Sequence, residues 1–80
     1  MRADVGDIVT FSAGGRRHIG RVAAAMEFPA GTPPETVIVA TPTGDARVRV
    51  ADLRVIRPNF VAETWANLGY DGPMPPDWTR

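Results

Sequence analysis

Short runs rich in β-branched and aromatic residues, separated by glycine and proline turns, fill the first 57 positions, and the spacing turns helical only after Pro58. The first strand signal is Val5-Gly6-Asp7-Ile8-Val9-Thr10-Phe11, rich in β-branched and aromatic residues. Val9 and Phe11 fall on one face of it, Ile8 and Thr10 on the other. Gly6-Asp7 reads as the turn that starts it, and Ser12-Ala13-Gly14-Gly15 as its end, because a glycine pair supplies the positive φ angles of a tight turn. A second strand is expected from Arg17 to about Met26. Gly20, Val22, Ala24 and Met26 then face inward, and Arg17, Arg21 and Ala25 outward. Ile19 falls on the outward set and breaks the pattern. Gly20 marks a bulge or a sharp bend. Phe28-Pro29-Ala30-Gly31-Thr32-Pro33-Pro34 is irregular, since its prolines exclude helix and central strand alike.

Thr36–Thr41 is apolar on both faces and is expected to be the most buried strand. Pro42-Thr43-Gly44-Asp45 turns the chain into Ala46-Arg47-Val48-Arg49-Val50, which alternates cleanly with valine in and arginine out. Ala51-Asp52-Leu53 reads as a single 3₁₀ turn. Arg54-Val55-Ile56-Arg57 makes a last short strand, ended by Pro58. Asn59 is then a suitable N-cap. Val61, Trp65 and Leu68 form one helical stripe with Phe60 and Thr64 beside it, and Gly69 stands where a C-terminal glycine belongs. From Tyr70 onward the prolines predict an extended or flexible tail.

These elements carry a resemblance. Gly6-Asp7-Ile8-Val9-Thr10-Phe11, Gly20-Arg21-Val22 and Val48-Arg49-Val50-Ala51-Asp52-Leu53-Arg54-Val55-Ile56 are similar to the SH3-like small β-barrel superfold, in the layout of KOW and Tudor domains, over residues 5–57. The resemblance implies a mainly β fold, a five-stranded SH3-like barrel over residues 1–58. The short C-terminal helix over 59–69, expected to pack on it, and the extended Pro/Trp tail over 70–80 come from the spacing and the prolines and have no counterpart in those families. Members of the superfold bind RNA, DNA, proline-rich peptides, methylated side chains or other subunits, so the fold selects no single function. Short resistance-type dihydrofolate reductases share the barrel and use a Val-Gln-Ile-Tyr segment in the fourth strand. Here that segment reads Val48-Arg49-Val50-Ala51, so their activity does not carry over.

Composition narrows the chemistry. The 80 residues contain no cysteine, which removes disulfides, thiolate metal sites and cysteine nucleophiles together. A domain this small has a marginal core, so its stability must come from packing, from closure of the sheet or from self-association. His18 is the one histidine and cannot build a zinc site by itself. No nucleophile is placed to use it, and Gly14-Gly15 lacks the phosphate-binding patterns. The expectation is therefore a non-enzymatic protein with no cofactor, no metal and no evident small-molecule substrate. No apolar run is long enough for a membrane span. Met1-Arg2-Ala3-Asp4 lacks a leader pattern, which gives a cytoplasmic expectation. The compact size and the arginine- and alanine-rich bias of a GC-rich genome would suit an accessory protein of a bacterium or its phage, in which case it could be virion-associated.

The nine basic residues are all arginine and balance nine acidic ones. Neutrality argues against a dedicated nucleic-acid binder, whose footprint is normally a basic excess. The arginines nonetheless cluster: Arg16, Arg17 and Arg21 at and just before the second strand, Arg47 and Arg49 on the fourth, Arg54 and Arg57 on the fifth. They form either a phosphate-binding face or a solvated outer face. Half of the aromatics fall in the last sixteen residues, among prolines. Trp65 is expected to cap an open end of the barrel. Trp78 either folds back onto the barrel or anchors the chain in a partner. The leading expectation is a binding or assembly module that engages a protein partner, or a second copy, through Phe28, Tyr70, Met74 and Trp78. Nucleic-acid binding is the alternative, and an enzyme assembled at an oligomer interface the remote one.

Overall fold

The computed structural model describes residues 3–25, 31, 35–70 and 72–79. Five antiparallel strands form one sheet: β1 (Ile8–Ala13), β2 (Arg16–Ala25), β3 (Thr36–Thr41), β4 (Gly44–Arg49) and β5 (Arg54–Ile56). Their order is β4-β3-β2-β1-β5. A 3₁₀ turn over Val50–Asp52 links β4 to β5, close to the expected place. The fold is thus mainly β. Among the described residues β4 and β5 form no ladder with each other, so the sheet is open and the expected closed barrel is not reached.

Gly14 and Gly15 at φ +60° and +77° allow a two-residue β1–β2 connection. Ser12 and Ala13 therefore extend β1 rather than breaking it. Val5 to Asp7 lie before the strand, where the Asp7 amide donates to the Asp4 carbonyl at 3.0 Å and the Asp4 amide donates to Asp7 Oδ2 at 2.9 Å.

Residues directly opposite one another in a ladder share a face, so the register sorts the side chains. One face carries Val9, Phe11, Val22, Val37, Val39 and Val48, closed over by Val50, Leu53 and Ala3. The other face carries Ile8 and Ile19, with Ile56 beside them, buried under Val61, Trp65 and Trp78. Ile19 is therefore in its proper place. It lies on the outward set of β2 because that set has its own apolar cover.

β2 departs from strict alternation in a second way. Its register with β3 shifts between Val22 and Ala24. The bulge turns Ala25 towards the first core and leaves Ala24 exposed, the reverse of the expectation from parity. The bend does not fall at Gly20. A Cβ on Gly20 would collide with the Val39 side chain and stand 2.6 Å from the Ala40 carbonyl oxygen, so glycine there permits the close approach of β3. β1, with Ile8 through Phe11 all buried, is covered more completely than β3. It has a strand on each side and a core on each face.

A 3₁₀ turn at Pro58–Phe60 leads into α1 (Val61–Asn67). Asn59 lies inside that turn, and no side chain caps the helix. Gly69 at φ +77° ends it, its amide donating to the Ala66 carbonyl at 3.1 Å. A seven-residue helix is far below the length that is stable by itself. It persists because Val61 and Trp65 are buried against the sheet.

The tail is not a free extended arm. Pro76–Thr79 form a 3₁₀ turn and Trp78 is 9% exposed. Half-buried Tyr70 and Met74 pack beside it.

Candidate functional site

The second face of the sheet carries a well-formed concavity. The tail returns across β2 and β3 and leaves a cleft of about 500 Å³ between itself and the strands. Trp65, Tyr70 and Trp78 line it from the helix and tail, Arg21 and Ala40 from the sheet, and Pro73 and Pro75 from the returning chain. Volume and lining fall within the usual range of binding sites, which are mostly apolar with a few fixed polar groups.

The aromatic wall is held rigidly. Trp65 and Tyr70 stack with ring centroids 4.6 Å apart and 23° between planes. Trp78 meets Trp65 edge-on at 5.5 Å and 85°. Both geometries are favourable for ring quadrupoles. Gly69 and Gly72, at φ +77° and +93°, give the tail the turns that bring it back. The Trp65 indole N–H donates to the Gly72 carbonyl at 3.2 Å, which fixes both the ring and the start of the return. The Trp78 indole N–H and the Tyr70 hydroxyl have no hydrogen-bond partner among the described residues.

Arg21 and Asp77 span the cleft. The guanidinium Nη1 donates to Asp77 Oδ2 at 2.9 Å, with the two side chains 45% and 54% exposed. An ion pair this wet contributes little to stability, about 0–1 kcal/mol. It places one charge of each sign at the mouth of an otherwise apolar cavity.

The residues singled out from sequence separate into groups. Tyr70 and Trp78 line the cleft, and Met74 packs against the second core. Phe28 lies outside the described residues. Among the arginines, Arg17, Arg21, Arg47 and Arg49 share the second face by register, whereas Arg16, opposite Ala13, lies on the first. Arg17 is engaged: it donates to Thr10 Oγ1 at 2.8 Å and to Ser12 Oγ at 3.1 Å. Arg21 is paired with Asp77. Arg47 and Arg49 are exposed and make no ion pair among the described residues. They sit across β3 from β2, flanked by Thr36 and Ile38.

His18 stacks on Phe11 across the β1–β2 ladder at 5.3 Å, with Nε2 3.3 Å from the Ala13 carbonyl. Among the described residues no three His, Asp or Glu side chains converge as a metal site would need, and no helix is long and apolar enough to cross a membrane.

Sequence reasoning missed Asp77, Pro73, Pro75 and Ala40 as lining residues, and assigned Trp65 to packing alone. The Arg21–Asp77 contact joins residues 56 positions apart, and no local pattern signals such a pair.

The fold and cleft define a small antiparallel β module with an aromatic-lined groove. No protein-family model, curated protein or solved structure matches the chain.

Proposed function

We propose that this protein is a non-enzymatic binding module that engages a protein partner through the C-terminal segment, with the cleft lined by Trp65, Tyr70 and Trp78 taking an extended apolar segment of that partner. One observation carries the reading: three aromatic rings, locked by packing and by the Trp65–Gly72 hydrogen bond, border an open cavity. Aromatic side chains dominate the energetics of protein recognition, and half-buried Tyr70, backed by the buried Trp65 and Trp78, presents the ring surface to an occupant at low entropic cost. The Trp78 N–H and Tyr70 hydroxyl supply donors for a peptide carbonyl. Where Trp78 was expected either to fold back or to reach a partner, the structure has it folded back, and the proposed partner meets the groove it builds.

Both tryptophans of the chain line the cleft, so an occupant must alter the intrinsic emission. The test is a titration with a proline-rich decapeptide against a Gly/Ser decapeptide of the same length. Saturable quenching or a blue shift with the first peptide only, lost in Tyr70→Ala, is the expected result. Equal responses to the two peptides, or none with either, would refute the reading.

Nucleic-acid binding through the second face is the other reading, favoured by Arg47 and Arg49 standing exposed and unpaired on the same face as Arg17 and Arg21. Phosphate contacts predict an affinity that falls steeply with salt. Absence of binding to single- or double-stranded DNA and RNA at low salt would end it.

A further inference from the structure

An open sheet has two edges, and they differ in kind. β4 is the longer one, and its second face presents Arg47 and Arg49. Asp45 shares that face, so a two-fold axis at Val48 would set Arg47 opposite Arg49, which is destabilising, whereas one at Ala46 would set Arg47 opposite Asp45. β5 is three residues long; it pairs with β1 along one edge and, among the described residues, with no strand along the other, while Ile56 packs against the second core. Beside it lies a shallow groove of about 440 Å³ that includes Val55, Arg57, Phe60 and Glu63. Among the described residues three large hydrophobic side chains are strongly exposed, and two of them, Val55 at 38% and Phe60 at 47%, belong to this patch. Arg57 and Glu63 line the same groove and pair neither with each other nor with any other described side chain.

We propose that the β5 edge and its groove form a two-fold interface between two copies of this chain. A two-fold contact is isologous, so the patch must be complementary to itself. This one is. It carries one free positive and one free negative group, and an antiparallel approach can set Arg57 of each copy near Glu63 of the other. Phe60 supplies the apolar centre of the contact on the second-face side, and Val55, opposite Val9 in the ladder, extends it round the edge towards the first face, with the charged groups as its polar rim. The exposed backbone of β5 can pair with its own symmetry mate, joining the two sheets edge to edge. A three-residue strand offers few such bonds, so the side chains carry most of the association. A small domain without disulfides also gains stability from a partner by mass action. The interface lies apart from the aromatic cleft and does not depend on what the cleft binds.

The experiment is sedimentation velocity from micromolar to millimolar protein on four forms: wild type, Val55→Arg, Arg57→Glu, and the charge swap Arg57→Glu/Glu63→Arg. The wild type is expected to show twice the chain mass at the upper concentrations, with a melting temperature that rises with concentration. Val55→Arg and Arg57→Glu should each weaken association about tenfold or more, since like charges across an interface are strongly unfavourable. The swap should restore it. Circular dichroism checks that each variant is folded; should Val55→Arg fail to fold, the charge series decides. A wild type that stays monomeric throughout overturns the proposal. So does a dimer that Arg57→Glu leaves intact, or one that the swap does not rescue.

Discussion

Trp78 and Asp77 are neighbours in sequence and act on the tail with unequal force. The indole is buried among Trp65, Ile19 and Val61, while the carboxylate is more than half exposed. Truncating a buried aromatic to alanine costs about 3–5 kcal/mol, whereas removing one partner of an exposed ion pair costs less than about 1 kcal/mol. Thermal melts should therefore show Trp78→Ala lowered by well over ten degrees and Asp77→Asn nearly unchanged, at about 4–8 °C per kcal/mol for a domain of this size. Gly20 makes a second point about single residues. Its neighbours across the ladder leave no room for a Cβ, so Gly20→Val should destabilise the protein by about 1–3 kcal/mol or more. Denaturant unfolding measures that directly. A neutral result would mean that β3 can move away from β2 at no cost.

At the scale of elements, α1 and the tail act as one cover for the second face. Neither is stable alone: the helix is short and uncapped, and the tail has only a terminal 3₁₀ turn. Together they bury Ile8 and Ile19. Removing residues 70–80 should expose Trp65 and the isoleucines beneath it. The expected signs are a red-shifted Trp65 emission, a gain in binding of a hydrophobic dye, and a lower melting temperature. An unchanged emission spectrum would show that Trp65 does not rely on the tail. The helical stripe was legible in sequence, because Val61, Trp65 and Leu68 recur at helical spacing and Gly69 closes the turn. Where the stripe packs was not. Sequence reasoning put it at an end of a barrel, but it lies across a sheet face whose apolar character shows in β2 as a single misplaced residue, Ile19.

For the molecule as a whole, stability and surface chemistry lie on different residues. The two cores sit on opposite faces of β1 and β2, so most of the apolar burial runs through the middle of the sheet, and the edges remain available for contacts. Arg47 and Arg49 are exposed at one such edge and make no ion pair among the described residues. The double variant Arg47→Glu/Arg49→Glu should leave the melting temperature within about 0.5 kcal/mol equivalent of wild type, as surface substitutions away from special features do. If the second face binds nucleic acid, the same variant should abolish that binding. A large loss of stability would instead assign the arginines a structural role.

The sequence by itself determined the local geometry. Runs of β-branched residues specified the five strands, the Gly14-Gly15 pair and the prolines specified the turns, and the change of spacing after Pro58 specified the helix. Each of these is decided within a few residues along the chain. It also located the aromatic concentration in the last sixteen positions. Only the tertiary structure decided that the sheet stays open, that both of its faces are covered, and that the tail folds back to pair Asp77 with Arg21 and Trp78 with Trp65. Those outcomes depend on contacts between residues far apart in sequence, and on a bulge after Val22 that reverses the parity of β2. The physical reason is that strand period tells which residues share a face, but not what will cover it.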